Sequence, residues 1–343
     1  MFGFHPLPRT LNAALRDSEH PRREVRLSAL RDLVRHTRGE HREQAVAAVV
    51  QRLRSDSEIE LRAQAAVALA DADAVEGLDA LLAAARQGET PVRQMALLAL
   101  GEVAPAGHEE TLTQLELALR AREPALRFQA LIALHRVGGA AAEGAVLDAL
   151  GDADAEVRAM AFRCAEERFA ETQAPKALLD AAARSLSDEI MEVRVCAAIV
   201  LANGGDARGG DVLLGVVDGS SKAGTDADRQ AAIELVSSLE LPGAKRALER
   251  RAFGPLGLRG DSLAYHARTA LAKLGHPRAR DSILRGLRGF TRDTRTLSVV
   301  AAGRAKLAEA RDIISAMQGR EERADQSAVE EALAALSSSA GER

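Results

Sequence analysis

A valine-arginine or leucine-arginine pair recurs along the chain, at Val25-Arg26, Leu61-Arg62, Val92-Arg93, Leu126-Arg127, Val157-Arg158 and Val193-Arg194. The arginines are 36, 31, 34, 31 and 36 residues apart. A period near 34 is that of a unit too small to bury its own apolar face. Such units find burial only by stacking on their neighbours, so the period predicts a stacked-repeat architecture. Proteins of that kind commonly work as extended surfaces, not as pockets built round a catalytic group.

The residues after each arginine define the local structure. Arg93 is followed by Ala96, Leu97, Ala99 and Leu100, and Arg127 by Ala130, Leu131, Ala133 and Leu134. Offsets of three, four and seven share one face of a 3.6-residue helix, and the alanines let that face approach a neighbour closely. Acidic residues stand four places before the arginine at Glu58, Glu89, Glu123 and Asp154, where a carboxylate favours the positive helix end. Pro91 and Pro124 suit the same first turn. Eroded copies centre on Arg229, Ala264 (in the arginine's place), Arg295 and Val329, giving ten copies. A second helical segment lies between successive arginine helices, as at 43–54, 74–86, 109–120, 142–150 and 277–288. No stretch alternates apolar and polar residues with β-branched enrichment, so no sheet is expected.

The motifs D-x-D-x-E-V-R-x-x-A at 152–161 and D-x-x-x-E-V-R-x-x-A-A at 188–198 resemble the HEAT-repeat family, especially its short, phycobilisome-lyase-like form. The resemblance covers roughly residues 10–337 and is specific for fold. It implies an all-α solenoid of about ten two-helix repeats wound as a right-handed superhelix. It further implies that the repeat arginine pairs with an acidic residue of a neighbouring turn. A ladder of Arg26, Arg62, Arg93, Arg127, Arg158 and Arg194 is therefore expected. In that family the second helix lines the concave surface. The chain is expected to be a single solenoid over 1–343, with repeats at about 9–337 and a frayed tail at 338–343.

Composition sets further bounds. Aromatic residues make up 2% of the 343 residues, with no Trp, so the core must be Ala, Leu and Val. No apolar run reaches the length of a membrane span. The N-terminal MFGFHPLPRT lacks the basic and apolar regions of a signal peptide. Cys164 and Cys196 read as small core residues with free thiols, which fits a cytoplasmic protein. Gly-, Ser- and Asp-rich stretches at 203–211, 218–228 and 252–262 read as long loops or, alternatively, as a hinge.

Charge is segregated. Residues 1–54 carry 11 basic and 6 acidic side chains, residues 55–243 carry 16 and 32, and residues 244–323 carry 18 and 8. The chain's formal net charge of −4 conceals an acidic middle between basic ends. Arg278, Arg280, Arg285, Arg288 and Arg292 form the densest basic part. They are either a solvated helix face or a docking patch for an acidic protein, an anionic surface or nucleic acid. Nucleic acid is the less favoured partner, because single-strand binders need aromatic platforms. Arg295 holds the ladder position.

Met95, Leu98, Phe128, Ile132, Met160, Val195 and Ile199 lie off the core face, at offsets of one, two or five from their arginines. They either pack between repeats or form a concave apolar strip. Such a strip, in an acidic surround, would receive a basic amphipathic helix.

Catalytic signatures are absent. There is no phosphate-cradling Gly loop, Cys-x-x-Cys or His-Glu-x-x-His. HEAT-like hydroxylases use several His-Glu dyads to hold iron, whereas this chain has one, His108-Glu109, which reads as a helix cap. HEAT-like DNA glycosylases rely on tryptophans, and there are none. A chromophore-lyase role rests on the shared repeat type alone. The sequence therefore predicts a non-enzymatic scaffold or adaptor without cofactor or metal. A nucleic-acid, DNA-lesion or chromophore-lyase protein on the same repeats is the alternative.

Overall fold

The computed structural model describes residues 8–222, 224–254 and 263–338. Most of the 252–262 loop, the tail beyond 338 and the first seven residues lie outside that range. The described residues form twenty α-helices and three short 3-10 turns, and no strand occurs among them. The chain divides into two compact units, Met1–Phe169 and Ala170–Arg343.

The first unit holds α1 (Leu11–Asp17), α2 (Arg23–His36), α3 (Arg42–Ser55), α4 (Ile59–Asp71) and α5 (Leu78–Gln87). It continues with α6 (Thr90–Val103), α7 (Glu109–Ala118), α8 (Pro124–Val137), α9 (Ala141–Ala149) and α10 (Ala155–Arg168). The second unit holds α11 (Lys176–Ser185), α12 (Met191–Asn203), α13 (Gly210–Asp218), α14 (Asp226–Ser238) and α15 (Ala244–Phe253). Its remaining helices are α16 (Leu263–Lys273), α17 (Pro277–Gly286), α18 (Arg292–Arg304), α19 (Arg311–Ser315) and α20 (Gln326–Ser338). Each odd helix packs on the even helix that follows it, and even helices stack on even helices, as α4 on α6 and α6 on α8. That gives five two-helix layers per unit. The recurring arginine sits in the first turn of an even helix.

The predicted core face is the one observed. Ala96, Leu97 and Leu100 are fully buried, as are Ala130 and Leu131. Each unit has its own cluster of buried Ala, Leu, Val and Ile. With almost no aromatic bulk, adjacent layers must come close for such short side chains to touch. Gly101 in α6 marks one such approach, since a Cβ there would lie 2.8 Å from Ala133 Cα and Cβ in α8. Gly303 in α18 repeats the arrangement against Ala332 Cα in α20, at 2.7 Å.

Turn chemistry follows the sequence in part. Glu58, Glu89, Glu123 and Asp154 all occupy the N-cap position, but only Asp154 accepts amide hydrogen bonds there, from Glu156 and Val157. A glutamate side chain is one methylene too long to fold back on its own helix as aspartate does. The 218–228 stretch ends in a capping box in which Thr225 and Asp228 satisfy each other's backbone amides.

The close approach at Gly101 gives a sign test. Gly-to-Ala in a helix interior ordinarily stabilises by about 1 kcal/mol. Gly144 in α9 has no atom within 4 Å of an added Cβ and should behave so. Gly101→Ala should instead destabilise by about 1–3 kcal/mol through overpacking. Urea denaturation of both variants measures this, and an equal gain in stability for the two would contradict the packing.

Candidate partner-binding surfaces

The turns before several of the even helices carry a polar tie. In Arg26 one guanidinium nitrogen, Nη1, donates to the carbonyls of His20 and Pro21, at 3.0 and 3.1 Å. Its Nε and Nη2 reach the next layer, both 2.9 Å from Asp56 carboxylate oxygens. Arg127 repeats this, donating to the carbonyls of Ala121 and Arg122 at 3.0 Å. It binds Asp152 at 2.8 and 2.7 Å. Each aspartate is a relay. The Asp56 side chain also accepts the Glu58 amide at 3.0 Å, while its carbonyl accepts Arg62. The Asp152 side chain accepts the Asp154 amide at 2.8 Å, and its carbonyl accepts Arg158 at 2.8 Å. Asp188 binds the Ile190 amide and the Arg194 guanidinium in the same fashion, at 2.9 and 3.0 Å.

The ladder expectation needs one correction. Its link is an aspartate six residues before the arginine, and positions 87 and 121 are Gln and Ala. Arg62 therefore turns to Glu89 at 2.5 Å. Arg93 donates to the carbonyl of Ala85 at 3.1 Å and has no carboxylate partner among the described residues. Arg295 faces Arg323 where the relay would need an aspartate, and holds carbonyls only: Gly289 and Phe290 in its own turn, Glu322 and Arg323 in the next. Two further cationic ties were not legible. Arg251, 6% exposed, caps the end of α13 through the Val216 and Val217 carbonyls. Arg9 joins α1 to α2 through Asp17 and Asp32, both at 2.8 Å.

Five of the strip residues lie in the first unit. Met95, Leu98, Phe128, Ile132 and Met160 are all half-buried, on α6, α8 and α10, which pack side by side. Met95 and Leu98 rest on the core beneath them. Val67 on α4 extends the strip, as do Leu27 and Val34 on α2, which with Val67 line a shallow cavity of about 140 Å³. The Glu102–Arg136 ion pair and a hydrogen-bonding contact between His135 and Glu167 border it. The strip does not include Val195 and Ile199, which are 0% and 1% exposed in the core of the second unit. Helix α12 is apolar on nearly all sides (VCAAIV at 195–200), so offset alone could not say which face was outward.

Arg278, Arg280, Arg285, Arg288 and Arg292 are all exposed. They are not equivalent. Arg280 pairs with Glu309 at 3.0 Å, and Arg292 stands 3.8 Å from Asp325. Arg278 lies over the Phe253 ring, 4.1 Å from its centre. Arg285 and Arg288 flank a cavity of about 590 Å³ with Leu284 and Ile313 among its lining residues. Neither has an ion pair among the described residues.

A mixed cavity of about 380 Å³ lies against α7 and α9, its lining including Glu116, Leu119, Gly144, Ala145 and Asp148. Small side chains on α9 create it. The sequence signal was the AAEGA segment, which reads only as helix. His108 caps α7 by accepting the Thr111 amide, as expected of the lone His-Glu dyad. Burial pushes the Cys164 thiol up to about 12, so it stays protonated and unreactive. Neither cysteine is in a disulfide, and both are buried. Among the described residues no group of His, Cys, Asp and Glu could hold a metal, and no helix is long and apolar enough to cross a membrane.

Comparison with known proteins agrees with the layers. Residues 46–135 match the model described as HEAT repeats. The fold is similar to that of Escherichia coli YibA, at 18% identity and a TM-score of 0.56, over 78% of this chain and 93% of that one. It is similar to Kap95p, solved with RanGDP, at 14% identity and a TM-score of 0.53, over 97% of this chain and 52% of that one. The CpcE–CpcF phycocyanin lyase of Nostoc sp. PCC7120 matches at 18% identity and a TM-score of 0.43, over 73% of this chain and 96% of that one. No curated protein sequence is significantly similar to the chain.

The relay makes a graded prediction. Arg26 and Asp56 have side chains 9% and 1% exposed. Removing one partner of a buried pair costs about 3–5 kcal/mol. Asp56→Ala should therefore fall in that range. Arg93→Met should cost less, about 1.5–3 kcal/mol at most, since a single charge-assisted hydrogen bond to a carbonyl is lost and no carboxylate is left unpaired. Chemical denaturation of both variants decides it, and equal losses would refute the relay.

The same contacts set a pH response. The Arg127 guanidinium holds the Asp152 carboxyl below the usual range, against its burial. Burial alone would raise Asp56, but the Arg26 guanidinium and the Glu58 amide outweigh it and the carboxyl is also lowered. Depressed carboxyls contribute stability above their unfolded value, about pH 3.9, that is lost as pH falls through the folded value. Stability should therefore fall through and below about pH 4. Asp152→Asn should flatten that fall in an acid titration of the unfolding midpoint.

Proposed function

Since the chain carries HEAT repeats, we propose that it is a non-enzymatic scaffold that binds another protein through the even-helix face of its first unit. The observation that supports this reading is the strip of Met95, Leu98, Phe128, Ile132 and Met160, five apolar side chains left half-covered on neighbouring helices. Apolar side chains in that arrangement match the i, i+3, i+4 and i+7 anchors of an amphipathic helix. The two methionines adapt to more than one shape of ligand. Exposed carboxylates at Asp71, Glu102, Glu156 and Glu167 flank the strip and favour a partner helix with basic residues beside its apolar face.

The arginines of α17 and the α17–α18 turn are a second docking surface, for an acidic partner. Arg285 and Arg288 supply forks free to meet carboxylates. The leucine and isoleucine that line the same cavity favour a protein segment over a phosphate backbone. This reading makes the protein an adaptor with two surfaces of opposite character.

Two variants test the two surfaces. Phe128→Glu with Met160→Glu should stay folded by circular dichroism. It should also lose the proteins that wild type captures from native lysate, each missing anchor costing roughly tenfold in affinity. A variant that unfolds instead would show that Phe128 belongs to the core. Arg285, Arg288 and Arg292 changed together to Glu should abolish retention on immobilised polyglutamate, a retention that in wild type should decline as salt rises. Unchanged retention would remove the second surface.

A further inference from the structure

Phe290 is the most exposed large apolar side chain described, at 105% of its reference area. It sits in the short turn 287–291 between α17 and α18. That turn is pinned in place. Arg295 donates to the carbonyls of Gly289 and Phe290, at 2.7 and 2.9 Å, and Thr291 caps α18 by accepting the Thr294 amide at 3.1 Å. A rigid backbone thus holds a phenyl ring out in water between two exposed guanidiniums, Arg288 and Arg292. An aromatic side chain held in this way is the kind of anchor that buries at interfaces, and its low loss of conformational freedom favours binding.

The first unit contains a receptacle of matching character. The cavity of about 380 Å³ against α7 and α9 is lined by Leu119, Ala145 and Ala149, with Glu116 and Asp148 exposed beside it. Gly144 leaves it open, since a Cβ there would meet nothing within 4 Å. Arg120 also lines the cavity, and the Arg127–Asp152 pair that takes part in it is already mutually satisfied. Its volume falls in the range of sites that enclose small organic groups, ample for one ring.

The chain's charge distribution supports the pairing. The acidic segment 55–243, with 16 basic and 32 acidic side chains, contains the cavity. The basic segment 244–323, with 18 and 8, contains the ring. We propose that the Phe290 turn of one copy seats in the α7–α9 cavity of a second copy, with Arg288 and Arg292 facing Glu116 and Asp148. The contact is head-to-tail, joining two different patches of the same chain. The inference rests on reading the α17–α18 arginines as a docking surface, and it names a second copy of this chain as the acidic partner.

Sedimentation velocity of the full chain over a wide concentration range, at low and at high salt, tests it. Wild type should associate as concentration rises, and less so at high salt. Phe290→Ser should weaken association by roughly thirtyfold, the scale of a lost aromatic anchor. Gly144→Leu should fill the cavity and weaken it as much, and a melting temperature not below that of wild type keeps that result separate from misfolding. Arg288→Glu should weaken association, and adding Asp148→Arg in the same chain should restore it. A wild type that stays monomeric throughout, or association indifferent to both Phe290→Ser and Gly144→Leu, overturns the proposal. If polyglutamate retention persists while self-association is absent, only the second-copy assignment falls. If both are absent, the docking reading falls with it.

Discussion

The guanidinium in the first turn of α2, and again in that of α8, does two jobs with one planar group. It satisfies carbonyl oxygens five and six residues upstream, which the preceding helix and turn leave without amide partners. Its remaining nitrogens reach the next layer, where at Arg26 and Arg127 they meet an aspartate bidentately. The aspartate has already been oriented by accepting the amide two residues further on. Each contact therefore prepares the geometry of the next, and a layer is tied to its neighbour by hydrogen bonds as well as by apolar packing.

That tie matters because the apolar core is built of small parts. Ala, Leu and Val fill both units, and Phe162 is the one aromatic among the largest fully buried side chains. Short side chains bury little area each, so stability comes from many close contacts between layers. Close contact requires alanine or glycine at the crossing points, as at Gly101 against Ala133 and Gly303 against Ala332. Small residues also leave openings where nothing fills them, and the α7–α9 cavity is such an opening. The same economy that lets layers approach makes the surface hollow at Gly144.

The two faces of the first unit separate accordingly. Even helices present the half-covered strip from Met95 to Met160, and odd helices present acidic residues round a hollow. The second unit presents arginines and one bare phenyl ring. Opposite charge and complementary relief on one chain underlie the docking proposals. Among the perturbed groups, Asp56 and Asp152 are explained by the relay and Cys164 by burial.

The sequence by itself determined the repeat, the all-helical fold and the core face. These depend on periodicity, and a 34-residue period with apolar offsets of three, four and seven admits few other folds. It also contained the break in the ladder, since Gln87 and Ala121 stand where the relay needs aspartate, although only the contacts revealed which position mattered. Tertiary structure alone decided which off-core residues faced water. Met95 and Val195 hold similar offsets, yet one is half-exposed and the other fully buried. Burial depends on what the neighbouring layer places opposite, which local spacing does not encode. For the same reason nothing in the local spacing marks Phe290 as bare or Gly144 as the edge of a cavity. Exposure and a cavity are relations between segments distant in the chain, and they exist only once the layers are stacked.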